Sequence, residues 1–433
     1  MNYSKFLPSI FILCFCHIQI LSQPQTSRLL KNLLLSQPDT LLQKVLLHPE
    51  IYRFQIIYTQ INRDKHNKPS FKNLYYNVDA NSYFNPASTV KMPLAFLALE
   101  KLNKMNIDQV NKYTTMQFDS SYSNQTVEYK DSTAQNGLPS IAHFIKKAFL
   151  VSDNDAYNRL YEFIGQQTIN RALHEKGYEE VRITRRFKRM TPDENRHTNS
   201  IRFIKSDGSL IYAQPPAYNT DSFDFSNINK IGKAHYDWND SLINEPINFT
   251  THNNISLEDL QQILQSVMFP SSVAQRQRFN LTEDDKLFLY QYLSQYPSET
   301  NYPKYDTAKF YDSYVKFFFK KGGHTIPSHI RVFNKVGWSY GFLTDVSYIS
   351  DFKNKVEFML SANIYVNSDG ILNDDKYDYD STGEPFLYAI GQAIYNYELH
   401  RKRKRIPDLK LFQIDYEQRN ADDKRTSIIE VDN

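Results

Sequence analysis

The sequence predicts an α+β fold in which one sheet is assembled from both ends of the chain and a helical domain is inserted between. Three observations predict it. Strong β-texture occurs at 52–63 and 73–84, then not again until 329–338, 342–350 and 356–366. The long interval between carries mostly helical periodicity. A final amphipathic helix then follows the last strand, so the chain runs strands, many helices, strands, helix.

The elements follow in order. Residues 1–23 read as a signal peptide: Lys5 is the only charge in the opening stretch, Phe6 to Leu21 is almost wholly apolar, and Ser22-Gln23-Pro24 breaks the run. The apolar segment is short of the ~20 residues of a membrane span, and no later stretch is long enough either. Both cysteines, Cys14 and Cys16, lie inside it, and Leu13 and Phe15 are too large to precede a lipid-acylated cysteine. The exported chain is therefore expected to be soluble and free of disulfides, zinc–thiolate sites and thiol nucleophiles. Residues 26–48 read as two helical pieces, with Asp39 capping the second, Leu42, Val45 and Leu46 on one face, and Pro49 stopping it. The two strands at 52–63 and 73–84 come next. From Ser88 a helix runs through KMPLAFLALEKLNK, and further helices are expected at 140–150, 154–164, 256–268 and 283–294. Residues 185–255 are polar, Asn-rich and weakly periodic, and read as a long loop insertion. A last helix begins near Pro385, a favourable first-turn residue, with Leu387, Ile390, Ile394 and Tyr397 on one face.

Composition excludes several functions. Apolar residues at 41%, charged residues at 23% and a net charge of +3 rule out a disordered chain and give no basic excess for nucleic acid. Only 12 glycines occur where about 30 would be average, and no Gly-rich phosphate-binding motif is present. The 14% aromatic content reads as bulky core filling.

Three short strings carry chemistry. In Ser88-Thr89-Val90-Lys91, residues i and i+3 share a helical face, so the ammonium can lie against the hydroxyl. A serine alkoxide needs such a base, and a second cation nearby disfavours the charged form of a lysine. Ser313–Lys316 and Ser350–Lys353 repeat the spacing without the context. Ser152-Asp153-Asn154 opens a helix and alone would read as an N-cap. Lys335-Val336-Gly337 ends a strand and precedes Trp338.

Taken together, S-x-x-K on a helix after two strands, S-D-N in a helical region and K-x-G on a strand resemble the class A β-lactamase-like serine hydrolases, within the penicillin-binding protein and β-lactamase superfamily. The segment NPASTVKMPLAFLALEKL is similar to the family's nucleophile helix. The resemblance spans roughly 38–400. It implies a five-stranded antiparallel sheet flanked by N- and C-terminal helices, with an inserted all-helical domain. The catalytic region would be 24–400, its sheet part about 38–90 and 328–400, its helical part about 91–327 with the insertion 185–255, and 401–433 a basic tail. It further implies an exported, periplasmic or secreted monomer without cofactor, acting on a β-lactam or cell-wall peptide. By motif position, Ser88 is the acylated nucleophile and Lys91 its base or proton relay. Ser152 passes protons between Lys91, Lys335 and the leaving nitrogen. Asn154 holds the substrate amide, and Lys335 supplies positive potential. The backbone N–H groups of Ser88 and Trp338, beside Gly337, form the oxyanion hole.

Two departures stand out. Val336 replaces the usual threonine, whose hydroxyl helps hold the substrate carboxylate; Ser339 is a substitute to consider. No E-x-x-L-N segment is found for the deacylating glutamate. Glu194 in TPDENRHTNS is the best candidate and Glu245 a weaker one. Without such a base the acyl-enzyme would persist, as in a penicillin-binding protein, D-alanyl peptidase or esterase. A non-catalytic wall-binding module is a third reading, disfavoured by the intact motif set. The acidic run Asp369, Asp374, Asp375, Asp378 and Asp380 does not match the EF-hand spacing, and the histidines form no metal-binding pair, so no metal site is expected. The run Arg401 to Arg405 ends the last helix, where cations suit the dipole; a contact with anionic membrane or wall is the alternative use.

Overall fold

The structure, a computed structural model, describes residues 24–431. The segment read as a signal peptide, with its two cysteines, lies outside the described residues. Helices α1 (Arg28–Leu35) and α2 (Thr40–Leu47) form as the pattern predicts: the Asp39 carboxylate accepts from Leu42 N at 2.8 Å, and Leu42, Val45 and Leu46 are buried. Pro49 ends α2 by starting a new turn, α3 (Pro49–Tyr52), where its missing N–H costs nothing. Strands β1 (Gln55–Arg63) and β2 (Pro69–Tyr76) form a hairpin. The partner strand starts and ends earlier than 73–84, because Asn77 takes a left-handed conformation (φ 54°) that breaks the ladder.

After α4 (Lys91–Met105) come β3 (Thr115–Phe118), α5 (Ile141–Leu150), α6 (Asn154–Ile164) and α7 (Gln166–Glu175). The 185–255 stretch carries more regular structure than its polarity suggests. It contains α8 (Pro192–Arg196), β4 (Ile201–Ile204) and β5 (Leu210–Gln214). It also holds the two- and three-residue pieces β6 (Lys230–Ile231), β7 (Ala234–Tyr236), β8 (Leu242–Ile243) and β9 (Ile247–Asn248). Strands β3, β4 and β5 make a three-stranded sheet, so the inserted part adds β-structure to the helices expected of it. The reason is local: Ile201 and Phe203 alternate inward while Arg202 and Ile204 are only partly buried, a two-residue period too short to register across the whole stretch. Helices α9 (Leu257–Met268) and α10 (Glu283–Ser294) start at Ser256 and Thr282, each of which caps its helix.

Following α11 (Phe317–Lys320), the strands β10 (Ile330–Ser339), β11 (Phe342–Asp351) and β12 (Val356–Tyr365) fall within a residue of expectation. A two-residue β13 (Ile371–Leu372) pairs with β7, and α12 (Glu384–His400) closes the fold. The main sheet is antiparallel, five-stranded and ordered β10-β11-β12-β1-β2. One face packs on α1, α2 and α12 through Leu42, Phe54, Val332, Phe358 and Ile390. The other packs on the inserted helices through Ile57, Leu260, Ile263, Phe333 and Met359.

The tail beyond α12 is bound along its length. Phe412 is buried against Phe269, Tyr290, Phe333 and Tyr348. Arg419 donates to the carbonyls of Pro297, Thr300 and Tyr305. Within the basic run, Arg401 and Arg403 turn inward onto buried Glu398, while Lys402, Lys404 and Arg405 are exposed. In the acidic run Asp378 is occupied by the N–H and hydroxyl of Ser368.

Candidate active site

The site forms where α4, the turn before α6 and the edge strand β10 meet. Ser88 lies in a 3₁₀ turn, Ala87–Val90, that feeds directly into α4. Ala87 before it is held left-handed at φ 42°, an unfavourable geometry for alanine that persists only where the surroundings impose it. Ser152 is likewise left-handed at φ 67°, immediately before the Asp153 cap of α6. Asp153 accepts from Ala156 N at 2.8 Å, so the capping reading of this string holds for its middle residue, and the residues on either side are left for the site.

The polar groups form an unbroken chain. Lys91 Nζ lies within hydrogen-bond distance of Ser88 Oγ (2.7 Å), Asn154 Oδ1 (2.7 Å), Ser152 Oγ (3.3 Å) and the Ser152 carbonyl. Lys335 Nζ reaches Ser152 Oγ at 2.9 Å and the Val336 carbonyl at 2.8 Å. Lys91 and Lys335 are both buried. Burial, reinforced by the charges of Lys91 and Lys316, holds the Lys335 ammonium well below its ordinary value. The ring of Phe187 lies 5.1 Å from Lys91 Nζ and stacks at 4.3 Å on Tyr157, shielding the Lys91 amine from water.

Gly337 is required by close approach. A Cβ there would stand 2.5 Å from the Pro86 carbonyl and 3.0 Å from Ser88 N. Strand β10 is the sheet edge, so one row of its backbone groups faces the nucleophile turn. Val336 points away into the apolar layer with Val332 and Leu343. Ser339 and Trp338 line the cleft instead, and Trp338 is steadied edge-on by Tyr314 and Phe317.

The cleft holds about 980 Å³ and its floor includes Ser88 and Asn154. Glu194 lies on its wall. One of its oxygens accepts from Asn124 Nδ2 at 2.6 Å and the other from Thr191 N at 2.7 Å, closing a capping box on α8. These bonds, the Thr191 N–H first, hold the carboxyl below the usual range. Glu245 is not among the cleft-lining residues; its carbonyl accepts from His235. The other two S-x-x-K pairs do not meet. Ser313 bonds the Gly323 carbonyl while Lys316 Nζ turns to Leu293 O, Val332 O and Asn334 Oδ1. Ser350 is buried and Lys353 exposed.

The rest of the cleft wall comes from the 185–255 stretch, whose role the sequence left open: Arg185, Phe187, Trp238, His252 and Asn253 all line it. The sequence reading passed over the run Arg185-Arg186-Phe187-Lys188-Arg189, whose clustered cations are its one local mark.

The model of the beta-lactamase enzyme family matches residues 53–208, which contain Ser88, Lys91, Ser152 and Asn154. Among solved structures, the class A β-lactamase of the last common ancestor of Gram-negative bacteria is 13% identical, with a TM-score of 0.45, covering 83% of this chain and 99% of that one. A β-lactamase from Streptosporangium roseum is 14% identical, TM-score 0.45, covering 82% and 96%. One from Sphaerobacter thermophilus is 13% identical, TM-score 0.42, covering 81% and 92%. No curated protein matches the chain. The fold is of the α+β class, and the chain resembles the β-lactamase and penicillin-binding-protein family of serine hydrolases.

Proposed function

We propose that the chain is an exported serine hydrolase of class A β-lactamase type that opens a β-lactam amide through an acyl-enzyme on Ser88. The observation that carries this reading is the continuous chain Ser88 Oγ, Lys91 Nζ, Ser152 Oγ, Lys335 Nζ. With Lys91 as the neutral amine, Ser88 Oγ attacks the amide carbonyl carbon and its proton passes to the Lys91 Nζ lone pair. The C–N bond breaks as a proton is delivered through Ser152 to the leaving nitrogen, and the product is a Ser88 ester. Developing negative charge on the carbonyl oxygen is received by the Ser88 and Trp338 N–H groups, each such donor contributing about 10²–10³ in rate. Asn154, oriented by Lys91, holds the acyl amide. Water then cleaves the ester, releasing the acid and restoring the serine.

A second reading keeps the acylation and slows that last step, as in a D-alanyl peptidase. It is favoured by Glu194, whose carboxylate is committed to α8 and Asn124, and by Phe187, the aromatic ring set over Lys91. Intact-mass analysis after mixing the mature protein with a fluorescent penicillin separates the two. A transient adduct with turnover is the first, and a lasting adduct the second. An unlabelled wild type, or labelling that survives in Ser88→Ala, overturns both. If Glu194 activates water, Glu194→Gln prolongs the adduct; unchanged turnover removes it from the site.

A further inference from the structure

The cleft is electrically lopsided. Its lining carries Arg185, Arg186, Lys188 and Arg189 against the single carboxylate of Glu194, whose two oxygens are already bonded within the protein. Three of the four cations are also occupied. Arg186 is buried with Glu162 and the carbonyls of Glu194 and His197. Lys188 Nζ bonds the Asn124 carbonyl at 2.9 Å, and Arg189 lies 4.9 Å over the ring of Trp238. Among the described residues, the Arg185 guanidinium alone of the four makes no hydrogen bond, ion pair or ring contact.

Its position is nevertheless fixed. The Arg185 N–H donates to Asn253 Oδ1 at 3.1 Å, and its carbonyl accepts from the Tyr157 hydroxyl at 2.9 Å. The charge bears on Tyr83, Tyr340 and His252, an aromatic group in which Tyr340 packs on Phe249 and His252. Tyr340 is five residues past Lys335, roughly 15 Å along the edge of the sheet. Along this edge Lys335 meets Ser152, Gly337 packs on the Ser88 turn and Tyr340 feels the Arg185 charge, so the nucleophile turn falls between the two cations in strand order. In the reaction proposed above, the Lys335 end receives the leaving nitrogen, so the Arg185 end faces the acyl group.

We infer that Arg185 binds a carboxylate on the acyl side of the scissile amide, so that the site selects substrates with an anion at each end. This rests on the acyl-enzyme reading of Ser88. The guanidinium is suited to such a group by its planar pair of donors.

The test uses two penicillins that differ by one carboxylate on the acyl side chain, α-carboxybenzylpenicillin and benzylpenicillin. Acylation kcat/KM of each is followed by intact mass. Wild type is expected to favour the dianion about five- to tenfold at low salt, the size of one charge-assisted bond in an open cleft, and the preference is expected to shrink as salt is raised. Arg185→Gln brings the ratio of the two rates close to unity, and Arg185→Lys keeps part of it. Equal rates in wild type, or a ratio unchanged in Arg185→Gln, overturn the inference and leave the hydrolase reading intact. If Arg185→Gln fails to fold, the wild-type ratio and its salt dependence decide alone. If neither compound labels Ser88, the hydrolase reading falls and the inference with it.

Discussion

At the scale of single residues, the convergence of the motif residues was legible because the motifs join types of side chain that need contact to act together. Ser88, Lys91, Ser152, Asn154 and Lys335 are brought together across 247 positions of sequence by bonds of 2.7 to 3.3 Å. Arg185 and Phe187 were not legible, since a cation run and an isolated aromatic carry no spacing that marks a site. Two outcomes belong here. Gly337→Ala pushes a methyl into the Pro86 carbonyl and Ser88 N. Acylation of Ser88 should fall by about 10² or more, of the order of losing an oxyanion donor, measured by mass labelling; a variant that labels at the wild-type rate shows the approach to be loose. The second concerns pH. Lys335 is held well below its ordinary 10.5 by burial and by Lys91 and Lys316, and it attracts an anion only while protonated. The alkaline limb of acylation kcat/KM should therefore lie below 10.5, and a limb at or above it contradicts the assignment.

At the scale of elements, the regular helices and main-sheet strands followed their caps and periods, whereas the short strands of the insertion did not. Asp39 caps the helix it was placed before, and Ser256 and Thr282 cap the helices expected at 256–268 and 283–294. By contrast, β6 and β8 are two residues long, too short to carry a two-residue period, and pair with nearby β9 and β7. Asp39→Ala should cost about 1 kcal/mol, seen as a lower urea midpoint at unchanged m-value; no change would mean that the buried leucines alone hold α2. Within α5, burial pushes His143 down to about 4, against the smaller opposing pull of Asp131 and with added repulsion from Lys147 and Lys146. The unfolded chain takes this proton near 6.5, the folded chain only near 4. The stabilisation is complete above 6.5 and is lost as pH falls toward 4, on the order of 2–3 kcal/mol. Urea titrations should show His143→Gln losing less stability than wild type across that interval, and parallel slopes would rule the group out.

At the scale of the whole molecule, the fold and its layers were read correctly from the order of elements, but residues 401–433 were read as an appended basic tail. Their cations were assigned to the helix dipole or to an anionic surface. What fixes them is Phe412 in the core and Arg419 on three carbonyls, contacts that depend on surfaces made by other parts of the chain. Phe412→Ala should cost about 3–5 kcal/mol, with a large fall in Tm; a shift of only a degree or two would mean that the strap peels off freely. The sheet order has a kinetic meaning as well. Strand β1 sits between β2 and β12, and Tyr58 bonds Glu398 across 340 positions. During synthesis the first hairpin must wait, one edge unpaired, until almost the entire chain has been made, because closing so large a loop is entropically costly and slow. The sheet of such a chain is completed only when its C-terminal third has been made.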